Sequence, residues 1–194
     1  MIRMAALCLP GINLLMSLIL FPFYALFVFF TNWCVMGSFF CILVTIYFSS
    51  WRGVEKHKKS LAALHLLLEL SLMLNLVTVI MYWSVIHFKV IDNFSGWAYV
   101  HMFIVHIFPA FAYFMNAKVT RYSLCPDHWK LFVPIGLVYN VVNYFEVQRS
   151  GKPLYWFMTW KDWTSPAICI AIQVVTAFIW VGLSKLWQRV FGYQ

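Results

Sequence analysis

Aspartate, glutamate, lysine and arginine are all missing between Arg3 and Arg52, a stretch of 48 residues. Charged residues make up 10% of the chain, against roughly 25% in an ordinary water-soluble domain, whose surface must be solvated. That shortage excludes a soluble globular domain. A helix needs ~20 apolar residues to cross a bilayer, so the uncharged stretch has room for two spans. No polar mature domain follows the first apolar run, and a cleaved secretory signal is therefore not expected. The five cysteines, Cys8, Cys34, Cys41, Cys125 and Cys169, form no CxxC pair, so they give neither a disulfide framework nor that kind of zinc site. All but Cys125 lie in apolar runs, where cysteine acts as a small hydrophobe. Internal repeats, low-complexity tracts and an appended soluble domain are also lacking.

What is present is 63% hydrophobic and 20% aromatic. Backbone groups in lipid must satisfy their own hydrogen bonds, so long apolar runs without two-residue alternation are helices. Six are expected, over about residues 5–22, 27–51, 60–88, 97–116, 129–148 and 164–187, which makes 1–194 a single all-α, six-transmembrane-helix bundle. Breakers separate them: Pro22, Gly53, Asp92-Asn93, Ser95-Gly96, Cys125-Pro126-Asp127 and Ser150-Gly151-Lys152-Pro153.

The formal charge of +8 has its explanation in those connections. One face takes Arg3, Arg52, Lys56, Lys58, Lys59, Lys118, Arg121, Lys130, Lys185 and Arg189, and the other takes Lys89, Arg149, Lys152 and Lys161. Basic residues stay on the cytosolic or matrix side, so both termini are expected there. Nucleic acid is not an expected partner; membrane lipids are. Trp33, Trp51, Trp83, Trp97, Trp129, Trp163 and Trp187 fall near span ends, where amphipathic rings favour the interface.

Polar groups inside spans are costly and each needs a reason. His101 and His106 are five residues apart, which on a straight helix leaves them about 140° from each other. With no HExxH and no cysteine partner, neither a metal nor a haem or other cofactor is expected. Thr31 and His101 each lie about four residues inside the less basic end of their spans, hence ~6 Å deep, with His106 a further 7 to 8 Å or so down. Asn140, Asn143 and Glu146 follow at steps of three on one side of span five. A polar pocket opening to the less basic face is one outcome. The other is plain packing, with Thr31 bonded to a carbonyl of its own helix and the asparagines tying helices together. Glu69, near mid-membrane, is expected to be neutral or hydrogen-bonded within the bundle and not turned to lipid.

Several motifs, taken in order, resemble the androgen-induced and androgen-dependent TFPI-regulating protein family of six-span membrane proteins. They are Phe29-Phe30-Thr31-Asn32-Trp33, the run Asn75 to Trp83, Ile91-Asp92-Asn93-Phe94, Gly96-Trp97, His101-Met102, Pro109, and Gly151-Lys152-Pro153-Leu154-Tyr155. The resemblance touches most of residues 27–160. It implies a threonine-dependent hydrolase of fatty acid esters of hydroxy fatty acids, with Thr31 as nucleophile and a span-four histidine as base. The family's fourth span reads His-x-x-His-Thr before a proline; aligned on Pro109, its first histidine falls on His101 and its second on Ile104, leaving His106 two residues away. His101 is thus the base expected by position and His106 the other candidate, with Asn143 or Glu146 orienting the imidazole. The resemblance places the chain in an endomembrane or the plasma membrane. The competing reading is a non-catalytic member that serves as a lipid-binding or accessory subunit among other membrane subunits, for example in the inner mitochondrial membrane.

Overall fold

The computed structural model describes residues 2–50, 58–120 and 123–191. These are about 85% helical, and no strand occurs among them. Helices α1 (Ile2–Leu20), α2 (Ala25–Val28) and α3 (Phe30–Ser50) come first, with the turn at Pro22 in the expected place. Next is α4 (Lys58–Met81), which runs through a π-helical turn (Tyr82–Ile86) into α5 (His87–Val90). A single helical turn over Ile91–Asn93 leads to α6 (Gly96–Val105) and α7 (Phe108–Thr120). After a 3₁₀ segment (Pro126–Leu131), α8 (Phe132–Ser150) and α9 (Thr164–Phe191) complete the chain. Four stretches are long and apolar enough to cross a membrane: Phe30–Ser49, Lys58–Asn93, Gly96–Asn116 and Thr164–Val190. These are the helices of a multi-pass integral membrane protein. Expected features at Trp51, Arg52, Gly53, Lys56 and Arg121 lie outside the described residues, as do the side chains of Arg3 and Lys118.

Two compact units make up the chain, residues 1–122 and 123–194. In the first, α1 packs on α3 and α7, and α3 on α4. Ala6, Ile42 and Ala112 are fully buried where α1, α3 and α7 meet. Small side chains there let backbones approach, which is how helices associate when lipid is as apolar as leucine. Polar ties join α3 to α4: Asn75 Nδ2 donates to Ser38 Oγ at 2.7 Å, and Cys34 Sγ meets Thr78 Oγ1 at 3.0 Å. The Tyr113 hydroxyl donates to the Leu68 carbonyl, tying α7 to α4. Glu69 is fully buried with His65 Nε2 at 3.4 Å, so it faces the bundle, as its cost in lipid requires.

In the second unit α8 packs against α9, and Gly136 makes room for Gln173, whose Nε2 would lie 3.1 Å from an added Cβ. Gly151, at φ 69°, ends α8 in the left-handed conformation glycine favours. Trp160 also has positive φ, and its backbone N–H donates to Ser165 Oγ at 2.8 Å. At the other end of the unit, Trp180 Nε1 and Gln188 Nε2 donate to the carbonyls of Cys125 and Leu124.

Candidate active site

Thr31 is the second residue of α3, two residues after the extended Phe29. So close to the helix start, it has no carbonyl one turn earlier in α3, which removes the partner that a mid-helix threonine would take. Its Oγ1 instead lies 3.1 Å from Nε2 of His106.

What brings His106 there is a break in the Gly96–Asn116 stretch. Pro109 has no N–H and its ring crowds the carbonyl four residues back, at Val105. Helix α6 stops at Val105, His106 leaves the helical region at φ −98° and ψ 0°, and α7 starts at Phe108. The 140° separation of the two histidines, which presumes a straight helix, does not hold across this break. His106 Nδ1 lies 2.6 Å from the Met102 carbonyl. A carbonyl only accepts, so Nδ1 carries the proton, Nε2 carries the lone pair, and the Thr31 hydroxyl donates to it. A hydroxyl, an imidazole and a group fixing the imidazole tautomer thus stand in line. Tyr82 holds the ring from the side, stacked on it with centroids 3.4 Å apart and planes 6° apart. Tyr82 opens the π-helical turn, whose wider winding brings residues five apart into register. Its hydroxyl accordingly lies 3.2 Å from Nδ1 of His87.

His101, the base expected by position, has a different partner: its Nε2 lies 3.1 Å from Ser17 Oγ in α1. Ser17 donates its one proton to Asn32 Oδ1 at 3.3 Å, so His101 Nε2–H must donate to Ser17. Asn32 Nδ2 then donates to the Ala25 carbonyl at 2.9 Å. The expectation that Thr31 would meet His101 is corrected: Thr31 meets His106, because the helix breaks between the two histidines.

Asn143 and Glu146 lie in the second unit and have partners within it. Asn143 Oδ1 accepts from Trp160 Nε1 at 2.6 Å, and the Glu146 carboxylate is gripped by Arg149 at 2.7 and 2.8 Å. The imidazole-orienting atom is the Met102 carbonyl. Sequence reading also missed Ser17 and Tyr82. Pro109 was the visible signal for the break, whereas a serine in an apolar run carries no such signal. The chain matches no protein family, no curated protein and no solved structure in comparisons with known proteins.

Proposed function

We propose that this chain is a multi-pass membrane hydrolase of lipid esters, with Thr31 as nucleophile and His106 as general base. The observation that carries the reading is the Thr31 Oγ1 to His106 Nε2 contact at 3.1 Å, with Nδ1 held by Met102. A threonine hydroxyl is a weak nucleophile until a neighbouring base takes its proton. Thr31 attacks the ester carbonyl carbon while its proton passes to Nε2. The tetrahedral oxyanion collapses, and the alcohol leaves with that proton. Water then attacks the acyl-Thr31 ester, His106 again taking the proton and returning it to Thr31 as the acid departs. The Met102 carbonyl stabilises the transient imidazolium as it fixes the tautomer. The start of α3 supplies the positive end of a helix dipole near the developing oxyanion.

The motif resemblance supports fatty acid esters of hydroxy fatty acids as the substrate class and an endomembrane or plasma-membrane setting. Six spans complete the topology, with both termini on the basic side; α1 and α8 have 19 residues each, about 28 Å of helix. A fluorophosphonate probe tests the chemistry. Labelling of the wild-type chain should disappear in Thr31→Ala and fall by ~10² to 10⁴ in rate in His106→Gln, the range of general base catalysis. Thr31→Ser, which keeps a hydroxyl, should still label. An unlabelled wild-type chain would make the pair a tie between helices and favour the accessory-subunit reading.

A further inference from the structure

The relay around His101 ends in an atom with no partner. His101 is 2% exposed, and with Nε2–H committed to Ser17 its Nδ1 is a bare lone pair, buried and unbonded. One turn before Ser17, on the same face of α1, Asn13 is fully buried with neither amide Nδ2 nor Oδ1 hydrogen-bonded. Buried polar groups are nearly always satisfied, and each unmet one costs stability. His101 in α6 thus offers an acceptor, and Asn13 in α1, a helix that α6 packs against, offers a donor and an acceptor.

A hydroxyl has the one proton that Nδ1 of His101 can accept and a lone pair for Nδ2 of Asn13. His101 adjoins the proposed nucleophile, because the relay passes through Asn32, the residue after Thr31. The ring over His101 is Phe21, with centroids 5.7 Å apart. Phe21 sits in the turn between α1 and α2, beside exposed Pro22, Phe23 and Tyr24. A ligand from the bilayer therefore reaches His101 by displacing one half-buried ring.

We infer that His101 and Asn13 form a hydroxyl-recognition subsite, and that it takes the free hydroxyl of a single-chain hydroxy lipid, the alcohol that cleavage of the proposed ester releases. The inference takes its ester from the Thr31 reading, but the recognition itself needs no hydrolysis. The relay serves this purpose: Asn32 and Ser17 hold the His101 tautomer, so that Nδ1 accepts and never donates. A lipid without the hydroxyl leaves that lone pair and the Asn13 amide unmatched, and a site built on a hydrogen bond discriminates strongly against such an analogue.

A non-hydrolysable pair tests this on the wild-type chain in nanodiscs: the hexadecyl monoether of ethylene glycol, which ends in a hydroxyl, and its methyl ether. Binding is followed by tryptophan fluorescence. The alcohol should bind roughly 10- to 100-fold more tightly than the methyl ether, the range expected for one unmet buried polar group. In His101→Phe, which keeps a flat ring, and in Asn13→Leu the preference should shrink to within about threefold. Equal affinity of the two lipids for the wild-type chain would overturn the inference, with a trapped water as the satisfier of these groups. So would a preference that survives both substitutions. Because fluorophosphonate labelling of Thr31 is read separately, loss of the preference leaves the hydrolase reading standing, and loss of labelling leaves the subsite standing.

Discussion

Tyr82 and His106 lie face to face, ring centroids 3.4 Å apart and nearly parallel. One edge of the imidazole faces Thr31 and the other the Met102 carbonyl, so the stack controls rotation out of the plane in which both hydrogen bonds form. Tyr82 is 1% exposed, and its place follows from the π-helical turn that it opens.

Removing the stack should therefore loosen the base before it loosens the fold. Tyr82→Phe keeps the ring and loses only the contact to His87, so Thr31 labelling by the fluorophosphonate should stay within about threefold of wild type. Tyr82→Leu should slow labelling roughly tenfold or more, since a small misplacement of a catalytic group is costly. Equal rates for Leu and Phe would show that the ring does not position His106.

Pro109 has a comparable role at one remove. With Pro109→Ala the missing N–H returns and the clash with Val105 goes, so α6 and α7 can join into a continuous helix. His106 then swings away from Thr31. Labelling should fall by an amount approaching that of His106→Gln, while helical content by circular dichroism stays level or rises. Full labelling with an intact fold would mean that the break does not depend on the proline.

Glu69 is buried beside His65, at 3.4 Å. Glu69→Gln preserves hydrogen-bonding capacity and should lower the thermal midpoint in detergent by only a few degrees. Glu69→Ala leaves a cavity and an unmatched neighbour, and should cost more, about 2 kcal/mol or above. A loss in Gln as large as that in Ala would show that the carboxylate itself is required.

At the start of α9, outside the membrane-spanning segments, the Thr164 backbone N–H donates to Asp162 Oδ1 at 2.9 Å and holds that carboxyl below the usual aspartate range. A depressed value means the cap is complete above the ordinary aspartate titration near about 4 and is lost as pH falls through the lower, folded value. Amide exchange in the first turn of α9 should therefore accelerate in acid, and Asp162→Ala should show the fast rate already at neutral pH. Unchanged exchange in both would remove Asp162 as the cap.

The six-span topology makes its own demand. Lys58→Cys and Lys130→Cys should be modified by an impermeant maleimide from one side of the membrane, and Lys152→Cys from the other. Opposite sidedness of Lys58 and Lys130 would break the six-span arrangement.

Composition and hydrophobic run length, by themselves, determined that this chain is helical and crosses a membrane, because lipid leaves the backbone no other way to satisfy its hydrogen bonds. The elements begin and end close to their Pro, Gly and Asp-Asn breakers, and Thr31 and the two histidines stand out as polar residues in apolar helices. Glu69 turns inward for the same reason of cost. Which histidine meets Thr31 was decided only by tertiary structure. A fixed 100° per residue treats residues 97–116 as one cylinder, whereas Pro109 breaks it and the π-helical turn at Tyr82–Ile86 rotates a ring into the gap. Ser17 and Asn13 belong to the same class. Ser17 matters because His101 of α6 faces it and Asn13 because it is buried without a partner, and helical periodicity describes one helix at a time, so no spacing within α1 could reveal either.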